Sequence, residues 1–270
     1  MDLTVYVLVA LAAAVLLPSC KTQYEAILYG NDIQAKYKMA FQMFEAKKYA
    51  KAAETFESLS VALRGTPQDD TVQFYWGLSN YRYGDYITAT SNFEQFIGVF
   101  PLSPFNEEAR YLYLDCLYRG TYRYELDQTP TYRALQAMNV FQIEKPGSPY
   151  HDDVERMIDD LKGRLELKAY KSAWLYYHME DYLAAHYALK NVIKENADNR
   201  YREEILYYTA MSAYKYAANS IPTKQRERYL IFVDDYFNLL SEYPESKYTK
   251  EVESLYNKVQ KILKKENTDG

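Results

Sequence analysis

Small and apolar residues follow one short pattern that occurs twice in succession between Ala40 and Phe100. Each copy has two small residues twelve positions apart, and apolar residues follow the second of them after four and seven positions. The two copies are Ala40, Ala52, Phe56 and Leu59, and Gly77, Ala89, Phe93 and Phe96. Small residues on both sides of a turn let two helix backbones approach closely, and the apolar residues form one stripe on the second helix. The pattern therefore predicts helix-turn-helix units that stack, because no single unit can bury its own apolar face.

Three more units follow, and each keeps at least the second-helix part of the pattern. The five units have their anchor positions at Ala52, Ala89, Ala134, Ala185 and Phe232. The spacing of 37 to 51 residues exceeds the roughly 34 residues of a tetratricopeptide unit because the loops are longer. The sequence thus predicts an all-α fold, an α-α superhelix (solenoid) of about five tetratricopeptide-like helix-turn-helix repeats.

The sequence predicts three parts, which are a signal peptide (1–19), a lipidated tether (20–32) and one repeat domain (33–265). Two long connections, Arg119–Thr131 and Ala218–Arg228, lengthen the third and fifth units. Because no flexible linker interrupts the domain, we expect one continuous right-handed solenoid. The predicted units and the terminal capping helix are 33–65, 70–101, 106–146, 152–197, 202–244 and 248–265.

The N-terminal segment has the features of a targeting signal. Val5–Leu17 is an apolar run that is too short to cross a bilayer and has the length of a signal-peptide core. It ends in Leu17-Pro18-Ser19-Cys20, which resembles a bacterial lipobox and predicts lipidation of Cys20, although Asp2 replaces the usual positive start. Lys21 and the absence of a following acidic run favour the outer membrane, by resemblance to known sorting rules. The alternative is a cleaved signal peptide with a coincidental cysteine.

Composition and motifs argue against catalysis. The net charge of −5 gives no reason to expect a nucleic-acid partner, and phosphate-binding loops, nucleophile elbows and His-Glu-x-x-His motifs are missing from the sequence. We interpret His178 and His186 as surface or turn residues rather than metal ligands. The acidic pairs are interpreted as solvated helix faces, and they are Asp152-Asp153, Asp159-Asp160 and Asp234-Asp235. We expect no enzyme, no metal and no cofactor, and a buried Cys116 in a helix.

Tyrosine is the unusual residue type, with 31 copies against 11 Phe and 2 Trp. Tyr and Arg are common anchors of protein interfaces, and they concentrate in the first helices and in the long third connection, where packing demand is lower. The candidate partner-binding residues are Tyr75, Tyr81, Tyr83, Arg119, Tyr122 and Arg123. The alternative for each tyrosine is packing between repeats.

Several local motifs, together with the lipobox, carry a resemblance to a known family. The motifs are Lys-Tyr-Lys-Met-Ala at 36–40, the Tyr81–Tyr86 turn, Leu-Asp-Gln-Thr at 126–129 and Tyr-Pro-Glu-Ser-Lys-Tyr at 243–248. Together they resemble the BamD family of outer-membrane assembly lipoproteins, specifically its Bacteroidetes-type relatives, from Cys20 to about Lys258.

The resemblance implies an accessory subunit of the β-barrel assembly machine that is lipid-anchored to the periplasmic face of the outer membrane. It implies that the N-terminal repeats receive unfolded outer-membrane proteins. The C-terminal repeats are expected to dock the barrel subunit's periplasmic repeat domains. Among functional residues, only Cys20 transfers from the family to this sequence, because the local binding motifs of its relatives do not match here.

Two alternative classes are tetratricopeptide lipoproteins that serve as scaffolds for other envelope complexes. Nutrient-uptake lipoproteins of this type are much longer, since they add a large carbohydrate-binding part. Coordinators of cell-wall synthesis carry an N-terminal coiled coil, and no sustained heptad pattern precedes Ala40.

Overall fold

The computed structural model describes residues 23–266, and the signal peptide and Cys20 lie outside them. Within this range the chain forms helices and no strand. The helices are α1 (Gln23–Leu28), α2 (Ile33–Glu45), α3 (Tyr49–Ala62), α4 (Asp69–Tyr83), α5 (Tyr86–Val99), α6 (Asn106–Arg119), α7 (Thr129–Glu144), α8 (His151–His178), α9 (Tyr182–Glu195), α10 (Arg202–Ala218), α11 (Pro222–Glu242) and α12 (Thr249–Glu266). The predicted fold class is confirmed, because the chain is all-helical and its helices pack against their neighbours as in a tetratricopeptide-like helical solenoid.

The tight turns inside the units end one helix and start the next in a similar way, through a residue with a positive φ angle. Lys47, Gly84 and Glu180 adopt positive φ angles at the turns before α3, α5 and α9. Asp85 and Asp181 then cap the next helix, because their carboxylates accept hydrogen bonds from backbone N–H groups of its first turn. The sequence places these turns between the two small residues of each pattern.

The contacts divide the chain into two compact units. The first comprises residues 23–121 and 136–154, and in it α1 to α6 pack in chain order. Ala40, Ala52 and Ala89 are fully buried at the helix crossings. The core of this unit is aromatic, with Phe56, Phe74, Phe93 and Phe96 almost completely enclosed. Cys116 is buried in α6, as predicted.

The second compact unit comprises residues 122–135 and 155–266. Its longest helix, α8, packs through Tyr170 and Ala173 against Leu189 of α9 and Ile205 of α10. Around Phe232, which is fully buried, α10, α11 and α12 form the second cluster. The division of the whole chain into one repeat domain, 33–265, and the right-handed sense of the solenoid stay predictions.

Two helices extend beyond the predicted elements. The predicted tether contains α1, in which Leu28 is buried and the Tyr24 hydroxyl donates to Glu54 of α3 over 2.7 Å. The predicted insertion Ala218–Arg228 is wrong in its second half, because α11 already begins at Pro222. Proline suits the first position of a helix, since its fixed φ is helical and that position needs no N–H partner.

The Pro-x-Ser segments connect successive units. The Ser103 and Ser246 hydroxyls accept from the backbone N–H groups of Phe105 and Tyr248, two residues later. Each hydroxyl also donates to a carboxylate in the first turn of the preceding unit's first helix. The partners are Asp70 for Ser103, at 2.8 Å, and Glu203 for Ser246, at 2.6 Å. One short motif therefore both starts a helix and ties it to its neighbour.

Candidate partner-binding surfaces

Tyr75 lies inside the aromatic core of the first compact unit. Its ring centroid is 4.8 Å from that of Phe41, 5.2 Å from that of Phe44 and 5.8 Å from that of Phe56. The side chain is half-buried, and its ring contacts connect α2, α3 and α4. These contacts correspond to the packing alternative, while a partner contact of Tyr75 stays a prediction.

Tyr81 and Arg119 meet at a buried carboxylate. The Tyr81 hydroxyl donates to Oδ2 of Asp115 over 2.7 Å, and Arg119, one turn further along α6, donates to the same oxygen. Asp115 is 5 % exposed, so both donors serve to compensate its buried charge. Burial and the neighbouring carboxylate raise the pKa of Tyr81 well above its usual range, and the phenol stays a neutral donor.

Arg119 is fixed in position without being fully enclosed. Its hydrogen bond to Asp115 raises the pKa of the guanidinium, which stays charged. The group lies 5.1 Å from the ring centroid of Tyr86 and 5.8 Å from that of Tyr81. With 44 % of the side chain exposed, Arg119 presents a pre-oriented cation at the surface of the first compact unit.

Tyr83 ends α4 and is 64 % exposed. Tyr122 and Arg123 belong to the second compact unit, where they begin the loop before α7. Both are exposed, Tyr122 to 50 %. Three of the six candidates, Tyr83, Tyr122 and Arg123, therefore lie on the surface of one compact unit or the other and contribute little to its core.

The loop 122–128 is held from α8. The Lys168 ammonium donates to the backbone carbonyls of Tyr124 and Leu126, each at 2.9 Å, and lies 3.4 Å from that of Glu125. Three carbonyl oxygens on one cation satisfy its three donors. Sequence reasoning missed Lys168, because it lies 42 to 44 residues from its acceptors.

Gln128 holds the same loop from within. Its amide nitrogen donates to the carbonyls of Arg123 and Leu126 at 2.8 and 3.0 Å, and its oxygen accepts from the Thr131 hydroxyl. Gln128 is buried, and Asp127 accepts from Thr129 at the start of α7. The Asp-Gln-Thr segment thus gives the exposed Tyr122 and Arg123 a defined backbone.

The interpretation of Asp235 and His186 as solvated residues is wrong. His186 Nε2 donates to Oδ2 of Asp235 over 2.7 Å, and Lys190 reaches Oδ1 at 3.2 Å. The two side chains are 9 % and 3 % exposed. The burial of Asp235 could have been predicted from its position in the helix. It follows Phe232 by three residues and therefore lies on the apolar stripe that continues at Tyr236 and Leu239. His178 is exposed and stacks on Trp174.

Among residues 23–266, none of the helices has the length and apolarity that a bilayer crossing requires. The sequentially packed helices define a helical-repeat protein of the tetratricopeptide-like class. A comparison with protein families then matches residues 31–173 to the YfiO model, described as outer membrane lipoprotein. The match spans more than half of the chain, which therefore belongs to the YfiO family of outer membrane lipoproteins. No curated protein matches the chain.

Proposed function

We propose that this protein is a lipid-anchored scaffold of the β-barrel assembly machine at the periplasmic face of the outer membrane. The single observation that carries the proposal is the family match over residues 31–173. The lipobox ending in Cys20 supports the same location. The proposal includes the Bacteroidetes-type variant of the family, which rests on the lipobox together with the motifs at 36–40, 81–86, 126–129 and 243–248.

Two kinds of partner belong to the proposal. The N-terminal repeats receive unfolded outer-membrane proteins, whose extended and β-prone segments fit pre-oriented Tyr and Arg side chains such as Tyr81, Tyr83 and Arg119. The C-terminal repeats dock the periplasmic repeat domains of the barrel subunit. No catalytic step is assigned to any residue, because a scaffold acts by binding its partners in the right place.

The test is affinity purification of a C-terminally tagged, lipidated protein from mildly solubilised outer membranes, followed by mass spectrometry. We expect stoichiometric recovery of a barrel protein with tandem periplasmic domains. Recovery of a TonB-dependent transporter or of cell-wall synthases without that barrel protein contradicts the proposal and favours a scaffold for another envelope complex. A matched strain that carries the tag on an unrelated outer-membrane lipoprotein controls for partners that follow the membrane itself.

A further inference from the structure

A pocket of about 230 Å³ opens between α9, α10 and α11 in the second compact unit. Leu183, Tyr187 and Ile231 form its apolar part, and they are 39 %, 61 % and 38 % exposed. Single exposed apolar side chains are ordinary, but three around one opening mark a surface that is suited to an apolar partner. All three lie beyond residues 31–173, so the family match gives this pocket no role.

Arg228 provides the charge of the pocket. Its guanidinium lies 4.0 Å from the ring centroid of Tyr216, and its Nη1 donates to the Ser220 hydroxyl. Both partners are neutral, and among the side chains of residues 23–264 no carboxylate forms an ion pair with Arg228. The stacked ring and the hydroxyl orient the guanidinium, while its remaining N–H groups stay available for an acceptor.

The other charged groups of the pocket already have partners. Lys224 and Glu227 pair with each other over 3.2 Å at the exposed start of α11. His186, which also lines the pocket, donates from Nε2 to Asp235, and Lys190 binds the second oxygen of that carboxylate. The cation without a carboxylate partner is therefore that of Arg228, and the pocket is complementary to an anion.

We infer that the pocket binds the carboxylate side chain of an acidic residue that has apolar neighbours, in an extended segment of a partner protein. The carboxylate takes the open N–H groups of Arg228, and the flanking apolar side chains cover Leu183, Tyr187 and Ile231. An inorganic anion satisfies the guanidinium but leaves these apolar groups in water, so the surface favours a peptide. The inference goes beyond the proposed function and holds for any envelope complex that this scaffold serves.

Fluorescence anisotropy with a dye-labelled peptide, Leu-Phe-Glu-Leu-Phe, tests the inference on the full mature protein in detergent. We expect saturable binding that weakens at least about tenfold when Gln replaces Glu in the peptide, because a charge-assisted pair is lost. Arg228→Met produces the same loss, and Arg228→Lys loses less, since lysine keeps the charge without the planar fork. Arg226→Met, which removes an exposed cation of the same helix, leaves the affinity unchanged, and melting curves confirm that each variant is folded.

Three outcomes overturn the inference. The first is equal affinity for the Glu and Gln peptides. The second is unchanged binding by Arg228→Met. The third is displacement of the peptide by acetate at a concentration near the peptide's own dissociation constant, which reveals a site for small anions only.

Discussion

Gly77 shows how one absent methyl group permits a helix crossing. A Cβ atom at this position would lie 2.9 Å from Cε1 and 3.1 Å from Cδ1 of Phe93, and 3.2 Å from Cβ of Asn92. Phe93 is fully buried, so its ring has little room to move. We expect Gly77→Ala to lower the free energy of unfolding by about 1 kcal/mol or more, since overpacking outweighs the gain in helix propensity. Urea denaturation followed by circular dichroism measures this change.

Gly98 is the matched control for this substitution. It lies in α5, it is exposed, and no atom outside its adjacent residues and the nearby backbone of its own helix lies within 4 Å of an added Cβ. Gly98→Ala should therefore stabilise the protein by up to about 1 kcal/mol through helix propensity alone. Equal effects of the two substitutions would show that α4 and α5 do not cross where the structure places them.

The Arg202–Glu242 pair makes part of the stability depend on pH. Two hydrogen bonds, at 2.6 and 2.8 Å, hold the Glu242 carboxylate against Arg202 and lower its pKa below the usual value of 4.5. A lowered folded-state pKa stabilises the protein above the unfolded-state pKa, and this contribution is lost as the pH falls through the folded-state value. We expect Glu242→Gln to cost under about 1 kcal/mol at pH 7, because the pair is partly exposed.

The same variant should approach the wild-type stability as the pH falls well below 4.5. Chemical denaturation at several pH values measures the difference between the two proteins. Glu253→Gln, which changes an exposed carboxylate of α12, serves as the control for net charge. A difference that persists unchanged to low pH contradicts the assigned role of Glu242.

At the scale of elements, the loop 122–128 depends on one side chain of α8. Removing the Lys168 ammonium leaves the carbonyls of Tyr124 and Leu126 without this donor, and Gln128 then holds the loop alone. We expect Lys168→Met to increase the rate of tryptic cleavage after Arg123 several-fold. The melting temperature should change little, because the helices keep their cores. Mass spectrometry of the first fragments gives the cleavage site.

Lys162→Met is the control for this loop prediction, because Lys162 is an exposed residue of the same helix. It removes a trypsin site and a positive charge as Lys168→Met does, but it leaves the loop intact. Equal cleavage after Arg123 in both variants contradicts the role of Lys168 in holding the loop.

The repeat helices could be predicted from the sequence because small and apolar residues recur at helical spacing around Ala52, Ala89 and Ala185. Two helical segments were missed for local reasons. The first turns of α11 are polar apart from Pro222, so no apolar stripe marks them. In α1, only Tyr24 and Leu28 are apolar residues at the helical spacing of four that indicates a buried face. Hydrophobic periodicity predicts long amphipathic helices, but it does not detect short or mainly polar helical segments.

The surface position of two candidate residues could be predicted from the sequence, while their binding to a partner stays a prediction. Tyr122 and Arg123 were placed in a long connection from spacing alone, and the structure confirms that they lie in the exposed loop before α7. Two contacts could not be predicted, because each joins residues that are far apart in the chain. Asp115 accepts a hydrogen bond from Tyr81, and Lys168 donates one to the carbonyl of Tyr124. Such contacts depend on how repeats stack, which no local pattern specifies.

At the scale of the whole molecule, the repeats need an anchor to act at a membrane. Cys20→Ser should leave the helical repeats folded, because residues 23–266 contain the described cores, but it should release the protein from membranes. On the proposed lipidation of Cys20, the acyl chains would supply the binding energy, since two or more buried chains hold a protein firmly to a bilayer. Fractionation with high-salt washing measures the release, and an equal circular dichroism spectrum confirms folding. A variant that still sediments with the outer membrane after the wash shows that contacts other than lipid retain it.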